Sequence, residues 1–175
     1  WAIVRPEVDQ YPHAPWWNYA EAMQSFGWGN PSAELLGFLI KYRDLIRNDL
    51  LIETLSKRAV ERVREVDPAH FHEVLNFKGL YSLAGDELKK DLEEPLRKLV
   101  KDSASVHSEE WNSYCAPPLR FIASPEDPFL NLFEKELIQE NLDFLLSSGL
   151  EDHWEPNWSW FGSYPDVWEI AKKEW

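Results

Sequence analysis

At 175 residues, 44% hydrophobic and 28% charged, the chain has the size and balance of a single globular domain, 1–175, with a sizeable core rather than of a disordered segment. Its 31 acidic against 18 basic side chains give a net charge of −13, which would repel phosphates over most of the surface, excludes a nucleic-acid partner and disfavours anionic membranes. The longest apolar runs, 35–40 and 144–146, are too short to cross a bilayer, so no membrane insertion is expected. One cysteine, Cys115, excludes an internal disulfide and a CxxC-type zinc site. With no visible signal peptide, it fits a cytoplasmic location.

Residues 1–30 read as irregular, with Pro6, Pro12, Pro15, Gly27 and Gly29 set among four tryptophans. At Asn30-Pro31 the character changes. Asparagine caps a helix N-terminus, proline suits the first helical position, and Glu34 falls where the helix dipole favours negative charge. Leu35, Leu36, Leu39, Ile40, Leu45 and Ile46 continue at helical spacing and predict a helix over 31–47. A second stripe runs from Leu51 to Val66 and stops before Pro68; Asp67-Pro68 repeats the cap signal and opens a third helix ending near Gly85. Asp86 caps a fourth through Leu88, Leu92, Leu96, Leu99 and Val100, with a kink or break expected at Pro95. Residues 103–128 read mainly as loop. A long helix then starts at Ser124-Pro125 or Asp127-Pro128 and stops at Gly149, and a short one lies near 165–173. No segment combines strand alternation with turn chemistry. The fold class is therefore all-α, built of antiparallel helical hairpins.

Nine of the ten tryptophans lie in 1–28 or 154–175, and the helices between use Leu, Ile, Val and Phe. This segregation predicts that the two ends meet and build one aromatic region, with Trp16 or Trp17 within roughly 20 Å of Trp154 or Trp158 on the scale of a small domain. Tryptophans can equally serve to hold irregular segments down.

"NLDFLLSSGLEDHWEPNWSW" resembles the repeat of terpenoid cyclases and prenyltransferases, a helix ending in an apolar triplet that leads to a turn of type Q-x-x-D-G-x-W. Leu142, Phe144, Leu145 and Leu146 stand in the helix part, Asp152 in the aspartate place and Trp154 in the tryptophan place; the repeat's glutamine falls on Gly149 or Leu150 and its glycine on His153. "YPHAPWW" followed by "NPSAELLGFL" is similar to uncharacterised bacterial prenyltransferase-like proteins placed near that superfamily. The resemblance implies part of an α/α toroid, in which inner helices line a central cavity. A complete ring needs about twice these helices, so 1–175 is expected to be a half-toroid or a fragment of a longer protein.

The catalytic motifs of those enzymes are missing. There is no D-x-D-D acid and no magnesium-binding D-D-x-x-D, and Cys115 is preceded two positions earlier by Ser113 where the zinc-binding prenyltransferases carry aspartate. No metal and no cofactor are therefore expected. His70 and His72 point about 200° apart on a helix. His13 beside Trp16-Trp17, and His153 between Asp152 and Trp154, offer an imidazole near tryptophan, suited either to a tuned acid or base or to satisfying loop carbonyls. His13, Trp16, Trp17, Asp152, His153, Trp154, Trp158 and Trp160 are thus the candidate ligand-binding residues. The expected partner is an apolar, isoprenoid-like small molecule. Alternatives are a helical interaction module completed by further helices or a second copy as a homodimer, and an α/α-toroid glycosidase-like carbohydrate site using Asp152, Glu155, Asp166 or Glu169.

Overall fold

The computed structural model describes residues 4–25, 27–149 and 153–173. Among them all regular structure is helical: eight α-helices, five short 3-10 helices and no strand. The α-helices are α1 (Tyr19–Ser25), α2 (Gly29–Lys41), α3 (Arg43–Ile46), α4 (Asp49–Arg62), α5 (Phe71–Leu83), α6 (Asp86–Ser103), α7 (Lys135–Ser148) and α8 (Pro165–Ala171). They fall into two compact units, one of residues 27–104 and 120–133, the other of 4–25, 105–119, 134–149 and 153–173.

In the first unit, helical geometry proper starts at Pro31, because Asn30 holds an extended backbone (φ −104°, ψ 103°) ahead of it. The helix expected over 31–47 is interrupted at Tyr42, whose backbone leaves the helical region (φ −107°, ψ 27°). Asn48 then caps α4 by accepting the Leu51 N–H at 3.1 Å. The third helix begins at Phe71 rather than at Pro68, since Asp67 spends its side chain and carbonyl on the Ala69 and His70 N–H groups in a tight turn. α6 runs unbroken through Pro95. Proline costs about 3 kcal/mol inside a helix, but Leu92, Leu96, Leu99 and Val100 of the same helix are all buried, each worth about 1.5–3 kcal/mol. Burial wins.

Contacts between α2 and α5 fix their relative direction. Gly29 lies against Glu73 and Phe77, Glu34 against Gly79, and Gly37 against Leu80 and Leu83, so the two helices run parallel. α4 returns along α2, bringing Arg58 to Trp28, and α6 returns along α5, bringing Lys89 over the Tyr81 ring at 5.8 Å. The result is two hairpins side by side, with α2 packed on α5, α5 on α6, α6 on α4 and α4 on α2. α5 is apolar on several sides and exposes only Ser82, as a central helix must.

Residues 120–133 clamp onto this unit without forming the helix expected there. Asp127 accepts the Phe129 N–H at 2.9 Å, the Ala123 N–H at 3.2 Å and the Lys78 amine at 2.8 Å; Lys78 also donates to the Phe121 carbonyl. Burial raises the Asp127 pKa, but these hydrogen bonds and the ammonium outweigh it and hold the carboxyl below its ordinary value. Past Ser124 only a 3-10 turn, Leu130–Leu132, forms before α-helix resumes at Lys135, and Gly149 ends it as expected.

In the second unit, α1 lies in a stretch read as irregular. Its seven residues give too few turns for a periodic signal. Trp111 is 2% exposed, donates its indole N–H to the Ser105 carbonyl at 2.9 Å and meets Phe144 of α7 edge to face at 5.4 Å. Asn141, fully buried on α7, accepts the Leu119 N–H at 2.9 Å. These bonds fasten α7 to the irregular 105–119 segment where no helix ladder is available.

Candidate functional site

The two tryptophan-rich ends meet in the second unit. Trp16 packs edge to face on Trp158 with centroids 5.7 Å apart, well inside the 20 Å expected; Trp158 lies 5.0 Å from Trp168, and Trp160 lies 5.6 Å from Trp168. Pro15–Trp17 is a 3-10 turn opened by its proline. It directs Trp16 inward, while Trp17 stays 37% exposed. α8, opened by Pro165, carries Trp168 from the other side.

The loop joining the two sides is the part that sequence reading missed. Phe161 (φ 51°) and Tyr164 (φ 48°) both sit in left-handed backbone, with Gly162 (φ 83°) between them. For residues with a Cβ this conformation costs about 1–2 kcal/mol each. The strained loop sets the Phe161 ring 6.3 Å from Trp16 while leaving Phe161 81% exposed, and it places Tyr164, 45% exposed, 6.2 Å from His13. Gly162 is the only sequence hint of this geometry.

His13 is held from both ring nitrogens, Nδ1 facing the Tyr11 carbonyl and Nε2 facing Asn18 Oδ1 at 2.8 Å, with Asp9 4.0 Å away. A neutral imidazole has one N–H and can serve only one of two acceptors. The Asn18 bond, then the Tyr11 carbonyl, therefore raise its pKa above the ordinary 6.5, against partial burial and aided by Asp9. His13 satisfies loop oxygens at the edge of the aromatic cluster.

The remaining candidates are placed differently. Trp154, 57% exposed, donates its indole N–H to the Leu145 carbonyl at 2.9 Å and covers Gly149, sealing the last turn of α7. His153 is exposed. Asp152, like Leu150 and Trp175, lies outside the described residues. Of the carboxylates considered for sugar chemistry, Glu155, Asp166 and Glu169 are exposed, and Glu169 is engaged by Lys172 at 2.8 Å. No group of three metal-ligating side chains stands together among the described residues. His72, half-buried in α5, has its pKa lowered by burial and then by Arg120.

A second feature belongs to the first unit: a shallow cleft of about 360 Å³ lined by Gly27, Trp28, Arg58, Glu61, Arg62 and Glu65. Arg58 lies 5.1 Å over the Trp28 ring. Arg62 closes the floor by binding buried Glu73. No helix of the described residues is long and apolar enough to cross a membrane. Compared with known protein families, curated proteins and solved structures, the chain matches none.

Proposed function

We propose that the chain is a terpenoid-cyclase-like α/α domain, forming part of a toroid, whose aromatic cluster binds an apolar, isoprenoid-like ligand. Two parallel-set hairpins in the first unit support the toroid reading, because neighbouring hairpins of such a ring place alternate helices side by side in one direction. The observation that carries the ligand reading is the strained loop of Phe161 and Tyr164. Backbone strain persists where something else over-determines it, and here it holds an 81% exposed phenyl ring beside Trp16 rather than burying it. Indole faces also stabilise cations, by about 0.5–2 kcal/mol each.

The chain lacks the acid and diphosphate motifs of the cyclases in its sequence, so the proposed role is binding rather than cyclisation. The test is a titration with farnesyl-type compounds, followed by tryptophan fluorescence, on the unmodified protein and on Trp158→Leu. The reading requires a saturable change in the unmodified protein that is reduced at least tenfold in affinity in the variant. A response that never saturates within the solubility of the compounds overturns it.

A further inference from the structure

Charge is divided unevenly between the two units. Among the described residues the first carries sixteen carboxylate side chains against fourteen of lysine and arginine, whereas the second carries twelve against four. The four are Arg5, Lys135, Lys172 and Lys173, and Lys172 is held by Glu169 at 2.8 Å. The carboxylates are spread through the unit, three in 4–25, two in 105–119, four in 134–149 and three in 153–173. A unit of this size has a radius of gyration of about 11 Å, close to the ~10 Å over which 0.1 M salt screens a charge. The whole excess therefore bears on the aromatic cluster.

Aromatic rings are also treated differently in the two units. In the first, the chain's own cations cover them: Arg58 lies 5.1 Å over Trp28, Lys78 4.6 Å over Phe129 and Lys89 5.8 Å over Tyr81. In the second, no lysine or arginine of the described residues stands over Phe161 or Tyr164, and both rings are exposed. His13, 6.2 Å from Tyr164, has Asp9 4.0 Å away to offset its charge when protonated.

We infer that the ligand of the aromatic cluster is an amphiphilic cation, an isoprenoid-like chain ending in an ammonium group. This rests on the reading of the cluster as an apolar site and adds the charge of the head group. The apolar chain lies against Trp16, Trp158 and Phe161. The head group stands at the rim beside Tyr164, whose ring face attracts a cation, with Asp166 two positions further on in the first turn of α8. A phosphate head would enter against the same negative field.

Three compounds with one chain and different heads separate the possibilities: farnesylamine, farnesol and farnesyl phosphate, titrated by tryptophan fluorescence at low salt and about pH 8, where the amine is charged. The proteins are the unmodified chain, Trp158→Leu and the double variant Glu155→Gln with Asp166→Asn, two exposed carboxylates. The amine should bind about tenfold or more tighter than the phosphate, with the alcohol between them, as expected for opposite charges in a field screened over ~10 Å. Salt at about 0.5 M should collapse that ratio. The double variant should narrow it about threefold and leave farnesol unchanged, while Trp158→Leu should weaken all three compounds.

If farnesol saturates but the amine binds no tighter than the phosphate, the head-group inference falls and the apolar site stands. An amine affinity that is unchanged in Trp158→Leu, or a ratio that is unchanged in the double variant, overturns the inference as well, because the cation is then held by charge elsewhere on the surface. If none of the three saturates, the apolar site itself falls and takes the inference with it.

Discussion

Arg62 holds Glu73 at two points, Nε to Oε1 at 2.9 Å and Nη2 to Oε2 at 2.8 Å, on a carboxylate that is only 1% exposed. The Gly29 N–H donates to the same Oε1 at 2.8 Å, so one buried charge ties the ends of α2, α4 and α5 together. Removing the guanidinium strands the carboxylate in the core. Arg62→Ala should therefore cost about 3–5 kcal/mol. Glu73→Gln leaves Arg62 free to reach water, since its side chain is 27% exposed, and should cost less, about 1–3 kcal/mol. Urea unfolding of both variants checks the order, and a smaller loss for Arg62→Ala would contradict this account.

Two glycines on the same helix pair should respond in opposite directions. A Cβ on Gly29 would lie 2.5 Å from the Phe77 ring and 2.8 Å from Glu73 Cγ, inside the buried ion-pair site. Gly29→Ala should cost about 1–3 kcal/mol through overpacking. The three atoms nearest a Cβ on Gly79 all belong to the side chain of exposed Glu34, the closest at 3.2 Å. That side chain can move aside, so Gly79→Ala should gain up to about 1 kcal/mol from helix propensity. Thermal unfolding of the two variants separates the cases by the sign of the change in Tm.

These contacts also explain what was legible in the sequence. Helices whose signals are local were readable: the Asn30-Pro31 start, the α6 stripe and the Gly149 stop follow from neighbouring residues. The meeting of Trp16 with Trp158 and Trp168 was readable from composition, because tryptophans are concentrated at the two ends of the chain, whereas Trp28 packs in the first unit instead. Partners distant in sequence were not. Asp127-Pro128 has the local chemistry of a helix start, yet Lys78, 49 positions earlier, draws the carboxylate into a loop clamp. Nothing local marks Glu73 as buried, because the partner that holds it, Arg62, lies eleven positions away on another helix. The left-handed backbone at Phe161 and Tyr164 leaves no mark in residue type.

His13 makes the second unit sensitive to pH. Its folded pKa lies above the ordinary 6.5, chiefly through Asn18 and the Tyr11 carbonyl. The stabilisation it contributes is present in full below 6.5 and is lost as pH rises through the higher folded value. His72 acts in the other direction: its pKa is lowered, first by burial, so stability is lost as pH falls from 6.5 through the lower folded value. His13→Gln should flatten the loss on the alkaline side, and His72→Gln the loss on the acidic side. Unfolding free energies measured from pH 5 to 9 read both; a His13→Gln profile that matches the unmodified protein would remove His13 from this role.

The strained loop separates binding from packing within the aromatic cluster. Phe161→Gly relieves left-handed backbone strain of about 1–2 kcal/mol and forfeits an edge-to-face contact with Trp16 worth about 0.5–1.5 kcal/mol. Glycine's greater freedom in the unfolded chain takes back about 0.5–1 kcal/mol more. The terms nearly cancel, so stability should stay within about 1 kcal/mol of the unmodified protein, while the saturable response to farnesyl-type compounds is lost. Trp158→Ala removes half-buried packing against both Trp16 and Trp168 and should cost stability as well as binding, about 2 kcal/mol or more. If Phe161→Gly is instead stabilised and still binds, the exposed phenyl ring has no part in the site; if it unfolds like Trp158→Ala, the loop is held by packing and the strain needs no ligand to explain it.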